Sequence, residues 1–156
     1  MDKSKSNASK SFAAALRLLT RRDRSETELR QKLGQFDFSL SAIESAVEKC
    51  REYNYLDDNR YATERARTLM RTGRGVGSRI MLDLRQRGID ETIARQALEI
   101  VNCEFDTSQL LRDQLQKRFP DFDYQHAEKK QCRRLISYFQ RRGYTLGEIF
   151  QTIQQK

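Results

Sequence analysis

The chain has 156 residues, 30 of them Lys or Arg against 22 Asp or Glu, for a formal net charge of +8, with a single histidine, a single proline and no tryptophan. Valine, isoleucine and alternating apolar runs are too scarce for a thick central sheet. No stretch approaches the roughly 20 apolar residues that cross a bilayer, and the polar, lysine-bearing first ten residues hold no apolar signal core, which points to the cytoplasm.

Residues 1–10 are rich in Ser, Lys and Asn without apolar periodicity and read as a disordered tail. From Ser11 onward a repeat emerges. A forward shift of 51 residues places Ala15 on Ala66, Leu18 on Leu69, Leu29 on Ile80, Leu33 on Leu84, Ala46 on Ala97 and Val47 on Leu98, without a gap. A further shift of 55 places Leu84 on Phe139, Arg87 on Arg142, Gly88 on Gly143 and Ile89 on Tyr144. This register predicts an all-α chain of three tandem three-helix repeats over residues 11–56, 57–104 and 105–156. A three-helix unit of about 50 residues buries little surface alone, so the repeats should stack into an elongated, curved array.

The helix boundaries are marked by residue chemistry. Ser25 with Glu28, Ser41 with Glu44 and Thr145 with Glu148 have the spacing of a capping box, in which a hydroxyl and a carboxylate reciprocally satisfy backbone N–H groups at a helix start. Asp57, Asp58 and Asp90 supply further acceptors for helix starts. Gly88 and Gly143 fall where a helix must stop, because glycine enters the left-handed region without steric cost. Pro120, Asp121 and Asp123 mark a longer connection inside the third repeat.

Charge is segregated by repeat position. Between residues 65 and 87 seven arginines face only Asp83, and between 129 and 142 there is no acid at all. Acids gather on the closing helices instead, as with Glu44, Glu48 and Glu52 or Glu91, Glu99 and Glu104. Arginine dominates the basic segments, and its planar fork grips phosphate or carboxylate with two hydrogen bonds, so either DNA or an acidic protein surface fits as partner. Tyr53, Tyr55 and Tyr61 near the first junction read as packing between repeats rather than a base-stacking platform.

Several chemistries are unsupported. Gly73-Arg74-Gly75-Val76-Gly77 has no Gly-Lys-Ser/Thr after it and no strand before it, so it reads as a flexible helix connection with Arg74 on a mobile tip. His126 alone provides neither a base for a nucleophile nor a zinc ligand set. Cys50, Cys103 and Cys132 are dispersed without a CxxC pair and read as reduced packing residues. The pairs Asp57-Asp58 and Asp90-Glu91 are explained by helix capping, leaving no catalytic residue, metal or cofactor assigned.

The chain resembles the bacterial RecX regulatory family. The likeness rests on Leu18-Leu19, Arg24-Ser25, Glu28-Leu29 and Lys32-Leu33; on Tyr55-Leu56-Asp57-Asp58 with Arg60-Tyr61-Ala62; on Gly77, Arg79-Ile80, Leu84 and Gly88-Ile89; and on Arg141-Arg142-Gly143-Tyr144. The resemblance implies a non-enzymatic protein, expected to be a monomer, that lies in the groove of the RecA–DNA filament and limits its growth, ATPase and strand exchange, with DNA as a second contact. The candidate contact residues are Arg24, Arg71, Arg74, Arg79, Arg85 and Arg87, followed by Lys130, Arg133, Arg134, Arg141 and Arg142. The competing reading is a stand-alone helical DNA-binding protein, since three-helix units with arginine-rich helices suit a groove.

Overall fold

The computed structural model describes residues 3–156, which form nine α-helices and no strand among the described residues. They fall into three triplets: α1 (Lys3–Arg21), α2 (Glu26–Gly34) and α3 (Leu40–Glu52); α4 (Asp58–Arg71), α5 (Gly77–Gln86) and α6 (Glu91–Glu104); α7 (Thr107–Arg118), α8 (Lys129–Gln140) and α9 (Leu146–Ile153). The chain is thus an all-α succession of three-helix repeats. Helix α1 starts at Lys3, so residues 3–10 prolong a helix where the sequence suggested a tail; Met1 and Asp2 lie outside the described residues. Once the buried turns around Ala14, Ala15 and Leu18 form a nucleus, each added Lys, Ser or Ala gains a helical hydrogen bond without needing an apolar partner.

By its internal contacts the chain divides into two compact units, one holding the chain up to Ala62 with Leu84–Ala94, the other Thr63–Asp83 with Arg95–Lys156. The second repeat contributes to both.

In the first unit α1 packs on α3, with α2 against both, around Ala15, Leu18, Leu29, Leu33, Ala46, Val47 and Cys50. Ser25 caps α2 as a full capping box: its hydroxyl accepts from Glu28 N–H, and the Glu28 carboxylate accepts from Ser25 N–H. The same hydroxyl donates to Arg87 C=O at 2.5 Å, and Thr27 Oγ1 donates to Gly88 C=O at 3.3 Å, docking the α5–α6 turn on the start of α2. Asp58, expected only as a cap, accepts from Glu26 N–H at 2.9 Å and so joins α4 to α2; burial pushes its carboxyl above the usual range despite that bond. Asp57 caps α4 by accepting from Asn59 and Arg60 N–H, and Asp90 accepts from Thr92 N–H at the start of α6. The Ser41–Glu44 box does not form, because α3 begins two residues early, capped by Ser39 through Ala42 N–H, and Glu44 turns to Arg30 instead. A network in which Arg51 and Arg30 both contact Glu26 holds that carboxyl below its ordinary range, mainly through the two Arg51 hydrogen bonds.

In the second unit α7 and α8 pack on α9. Phe139 is fully buried and meets Tyr138, Tyr144 and Phe119 at ring distances of 5.1, 5.8 and 5.9 Å. Leu33, Leu84 and Phe139, which share one repeat position, are each fully buried. The residue four positions later takes a positive φ in every repeat: Asp37 at 61°, Gly88 at 75° and Gly143 at 100°. Thr145 and Glu148 form the expected capping box of α9, and the connection 119–128 is the long one expected around Pro120.

Candidate polyanion-binding site

The candidate site lies in the second unit, where two turns are bonded together. The chain leaves α4 through a tight turn in which Arg74 and Gly75 N–H both donate to Leu69 C=O, with Gly73 left-handed at φ 69°. Val76 is buried, and its N–H donates to Arg142 C=O at 2.8 Å. That bond ties the α8–α9 turn to the start of α5 and brings Arg79, in the first turn of α5, beside the end of α8. Gly143 makes the approach feasible: a Cβ there would lie 2.0 Å from Val76 O. The Gly73–Gly77 segment is therefore an anchored turn instead of the flexible connection the sequence suggested, although the Arg74 side chain does face solvent.

Arg74, Arg79, Arg141 and Arg142 converge on an open hollow of about 710 Å³, completed by Ser78, Leu82, Gln140 and Gly143. No acid lines it. The Arg142 guanidinium lies over the Tyr138 ring, 3.6 Å from its centroid, and donates to Tyr138 C=O at 3.2 Å, so its direction is fixed. Its Nε is buried and finds no hydrogen-bond partner among the described residues. Arg74, Arg79 and Arg141 are exposed and make no ion pair among the described residues.

Local acids are kept away from this hollow. Asp83, alone in its segment, is buried and held bidentately by Arg65 at 2.8 and 3.0 Å. Arg67 donates to Glu104 through Nε and Nη2, each at 2.7 Å, and to Glu64 through Nη1, which raises the guanidinium pKa further. Hence Glu44 and Glu104, among the acids gathered on the closing helices, neutralise Arg30 and Arg67.

The other sequence candidates scatter. Arg24, in the first unit, is only 9% exposed, its Nε 3.5 Å from Leu18 C=O, and burial pushes its pKa down, so it is a packed residue instead of a surface contact. Arg87 donates to Glu28 at 2.9 Å and to Tyr61 OH at 3.0 Å, a structural bridge within the first unit. Arg71, Arg85, Lys130 and Arg133 are exposed but line no hollow with the four arginines. Arg134 lines a separate hollow of about 370 Å³ beneath the α7–α8 connection, beside Phe119, Pro120 and His126. Tyr61 is buried as expected, whereas Tyr53 and Tyr55 are exposed with their rings 5.9 Å apart. Cys50 is buried and its thiol pushed up by burial, but Cys103 is exposed, unlike a packing residue. Sequence reasoning missed Tyr138, which lies in the last turn of α8 and meets Arg142 only because the chain turns back just past the helix end.

Two family models match the chain: the first three-helix domain of RecX over residues 12–50 and the second three-helix domain of RecX over residues 57–98. A regulatory protein RecX of Syntrophotalea carbinolica is 43% identical over 145 residues, 93% of this chain and 95% of the relative. The chain belongs to the RecX family. A second relative, regulatory protein RecX of Trichlorobacter lovleyi, is 35% identical over 144 residues, 92% of this chain and 94% of its own. The crystal structure of RecX from Lactobacillus salivarius superposes with a TM-score of 0.76 at 25% identity, covering 97% of each chain. RecX membership makes the chain a regulatory protein. No helix among the described residues is long and apolar enough to cross a membrane.

Proposed function

We propose that this chain binds the RecA–DNA filament in the cytoplasm and restrains filament growth, ATPase and strand exchange, acting as a binding protein without a reaction of its own. The observation that carries this reading is the acid-free hollow where Arg74 and Arg79 of one repeat meet Arg141 and Arg142 of the next. Arginine forks held by two repeats grip a carboxylate or a phosphate equally well. A clamp on one filament conformation hinders the rearrangements that strand exchange requires, to the extent that it prefers that conformation. Arg71, Arg85, Lys130, Arg133 and Arg134 add to the long-range field rather than to the hollow. The test is RecA ATPase on single-stranded DNA with an Arg74→Ala/Arg79→Ala/Arg141→Ala variant, whose three side chains are exposed. Loss of inhibition with helical content unchanged is expected; undiminished inhibition refutes the assignment.

The hollow also favours a second reading, direct DNA binding without RecA, since phosphates are its other natural guests. That reading requires a single-stranded oligonucleotide to bind alone, with log K falling against log salt at a slope of roughly −2 to −3 for three or four neutralised phosphates.

A further inference from the structure

The repeat register shows what one turn of the fold does, and in the first repeat that turn is left without its usual partner. The α5–α6 turn presents Arg87 C=O and Gly88 C=O, which accept from Ser25 and Thr27 at the start of α2. The α8–α9 turn presents Arg142 C=O, which accepts from Val76 N–H just before α5. The corresponding turn between α2 and α3 is Phe36-Asp37, by the same shifts that align Leu33, Leu84 and Phe139. Among the described residues nothing donates to Phe36 C=O or Asp37 C=O.

The side chains at this turn also change character. Where the two docked turns carry Arg87 and Arg142, the free one carries Phe36, 55% exposed, with Leu40 close behind at 83%. Phe36 and Phe38 border a hollow of about 220 Å³ floored by Ala14 and Leu18 and rimmed by Arg17 and Arg21. Both arginines are exposed and make no ion pair among the described residues. Two docked examples in one molecule thus show the occupant of such a turn to be the start of a helix, and the arginine rim selects its charge.

We propose that the α2–α3 turn with the Phe36–Phe38 hollow is a docking surface for the first turn of an acidic amphipathic helix on a partner protein. One apolar side chain enters the hollow, first-turn carboxylates face Arg17 and Arg21, and a capping hydroxyl or N–H donates to the two carbonyls. Acidic residues are also those that helix N-termini favour, so one segment satisfies both demands. This surface belongs to the first unit and shares no residue with the arginine hollow of the second.

The probe is a fluorescein-labelled helical peptide opening with serine, with glutamates in its first turn followed by a leucine, titrated with the full chain by anisotropy. Binding is expected, at least tenfold weaker for Arg17→Glu/Arg21→Glu and for Phe36→Glu, and unchanged for Arg79→Ala/Arg141→Ala. A lysine version of the peptide should bind Arg17→Glu/Arg21→Glu in preference to the parent, an outcome that mere damage to the fold does not produce. The proposal is overturned by absent binding, by equal affinity for a peptide with glutamine in place of glutamate, or by self-association of the chain that Phe36→Glu abolishes. It is overturned equally if Arg17→Glu/Arg21→Glu weakens only oligonucleotide binding. Loss of RecA inhibition in the triple arginine variant with peptide binding intact separates this surface from the function proposed above.

Discussion

Replacing Gly143 with alanine is a stringent test of how the second unit is held. At φ 100° an L side chain is strained, and its Cβ would stand 2.0 Å from the Val76 carbonyl oxygen and 3.0 Å from Arg79 N and Cβ. The conformational term is roughly 1–2 kcal/mol, the forced backbone shift roughly 1–3 kcal/mol, and loss of the Val76–Arg142 hydrogen bond about 1 kcal/mol. Together they place the destabilisation at roughly 3–6 kcal/mol, a urea-midpoint shift of roughly 1.5–3 M for an m-value of about 2 kcal/mol/M. Asp37→Ala at the corresponding position of the first repeat already carries a Cβ at φ 61° and should cost only about 1 kcal/mol. Gly88→Ala should resemble Gly143→Ala, because its Cβ would meet Thr27 Cβ at 2.3 Å. The measurement is urea unfolding followed by helical circular dichroism. If Gly143→Ala unfolds at the parent midpoint, or if Asp37→Ala costs as much, the turn is not the close contact described here.

Tyr144 is buried and its phenol pushed up to about 12 from 10.0, first by burial and second by Glu148. Because the folded value is the higher one, its contribution is complete below pH 10 and is lost as pH rises toward 12. Roughly 2–3 kcal/mol is at stake, and thermal melts of Tyr144→Phe across this window should be flatter than those of the parent. Arg65→Ala leaves the buried Asp83 carboxylate without its bidentate partner, with an expected loss of about 3 kcal/mol; an Arg65→Ala/Asp83→Asn variant should recover part of this in urea melts, and a double variant weaker than the single would contradict the pairing. Arg24→Met exchanges a poorly compensated, packed charge for an apolar side chain and should leave stability equal or higher, with the proposed inhibition of RecA unchanged. A tenfold loss of inhibition would restore Arg24 to the contact surface.

The fold was largely legible because apolar positions repeat. Leu33, Leu84 and Phe139 lie in one register and are all fully buried, and the Ser25–Glu28 and Thr145–Glu148 boxes start the helices they mark. What misled was local ambiguity. Ser39 and Ser41 stand two residues apart with the same hydroxyl; in the fold Ser39 accepts from Ala42 N–H while Glu44 pairs with Arg30. Lys3–Lys10 lack a hydrophobic signal because the helix there extends an already packed one. For the site, the sequence supplied the arginine-rich segments but not their neutralisation: Arg65, Arg67 and Arg87 are indistinguishable by type from Arg74 and Arg79, yet the first three meet Asp83, Glu104 and Glu28 at separations of 18, 37 and 59 residues. Nothing in a linear pattern announces that Val76 and Arg142 are bonded, and that bond assembles the hollow.

The bond between Val76 and Arg142 also limits how the protein can be shortened. Cutting the chain after Gln125 removes Arg141 and Arg142 and strips the buried Val76 N–H of its acceptor, so the remaining fragment is left with half a cradle and an unsatisfied donor beneath it. Repeats in such a chain are not interchangeable beads: the four arginines come together only at the joint, and losing either neighbour leaves two of them without the other two.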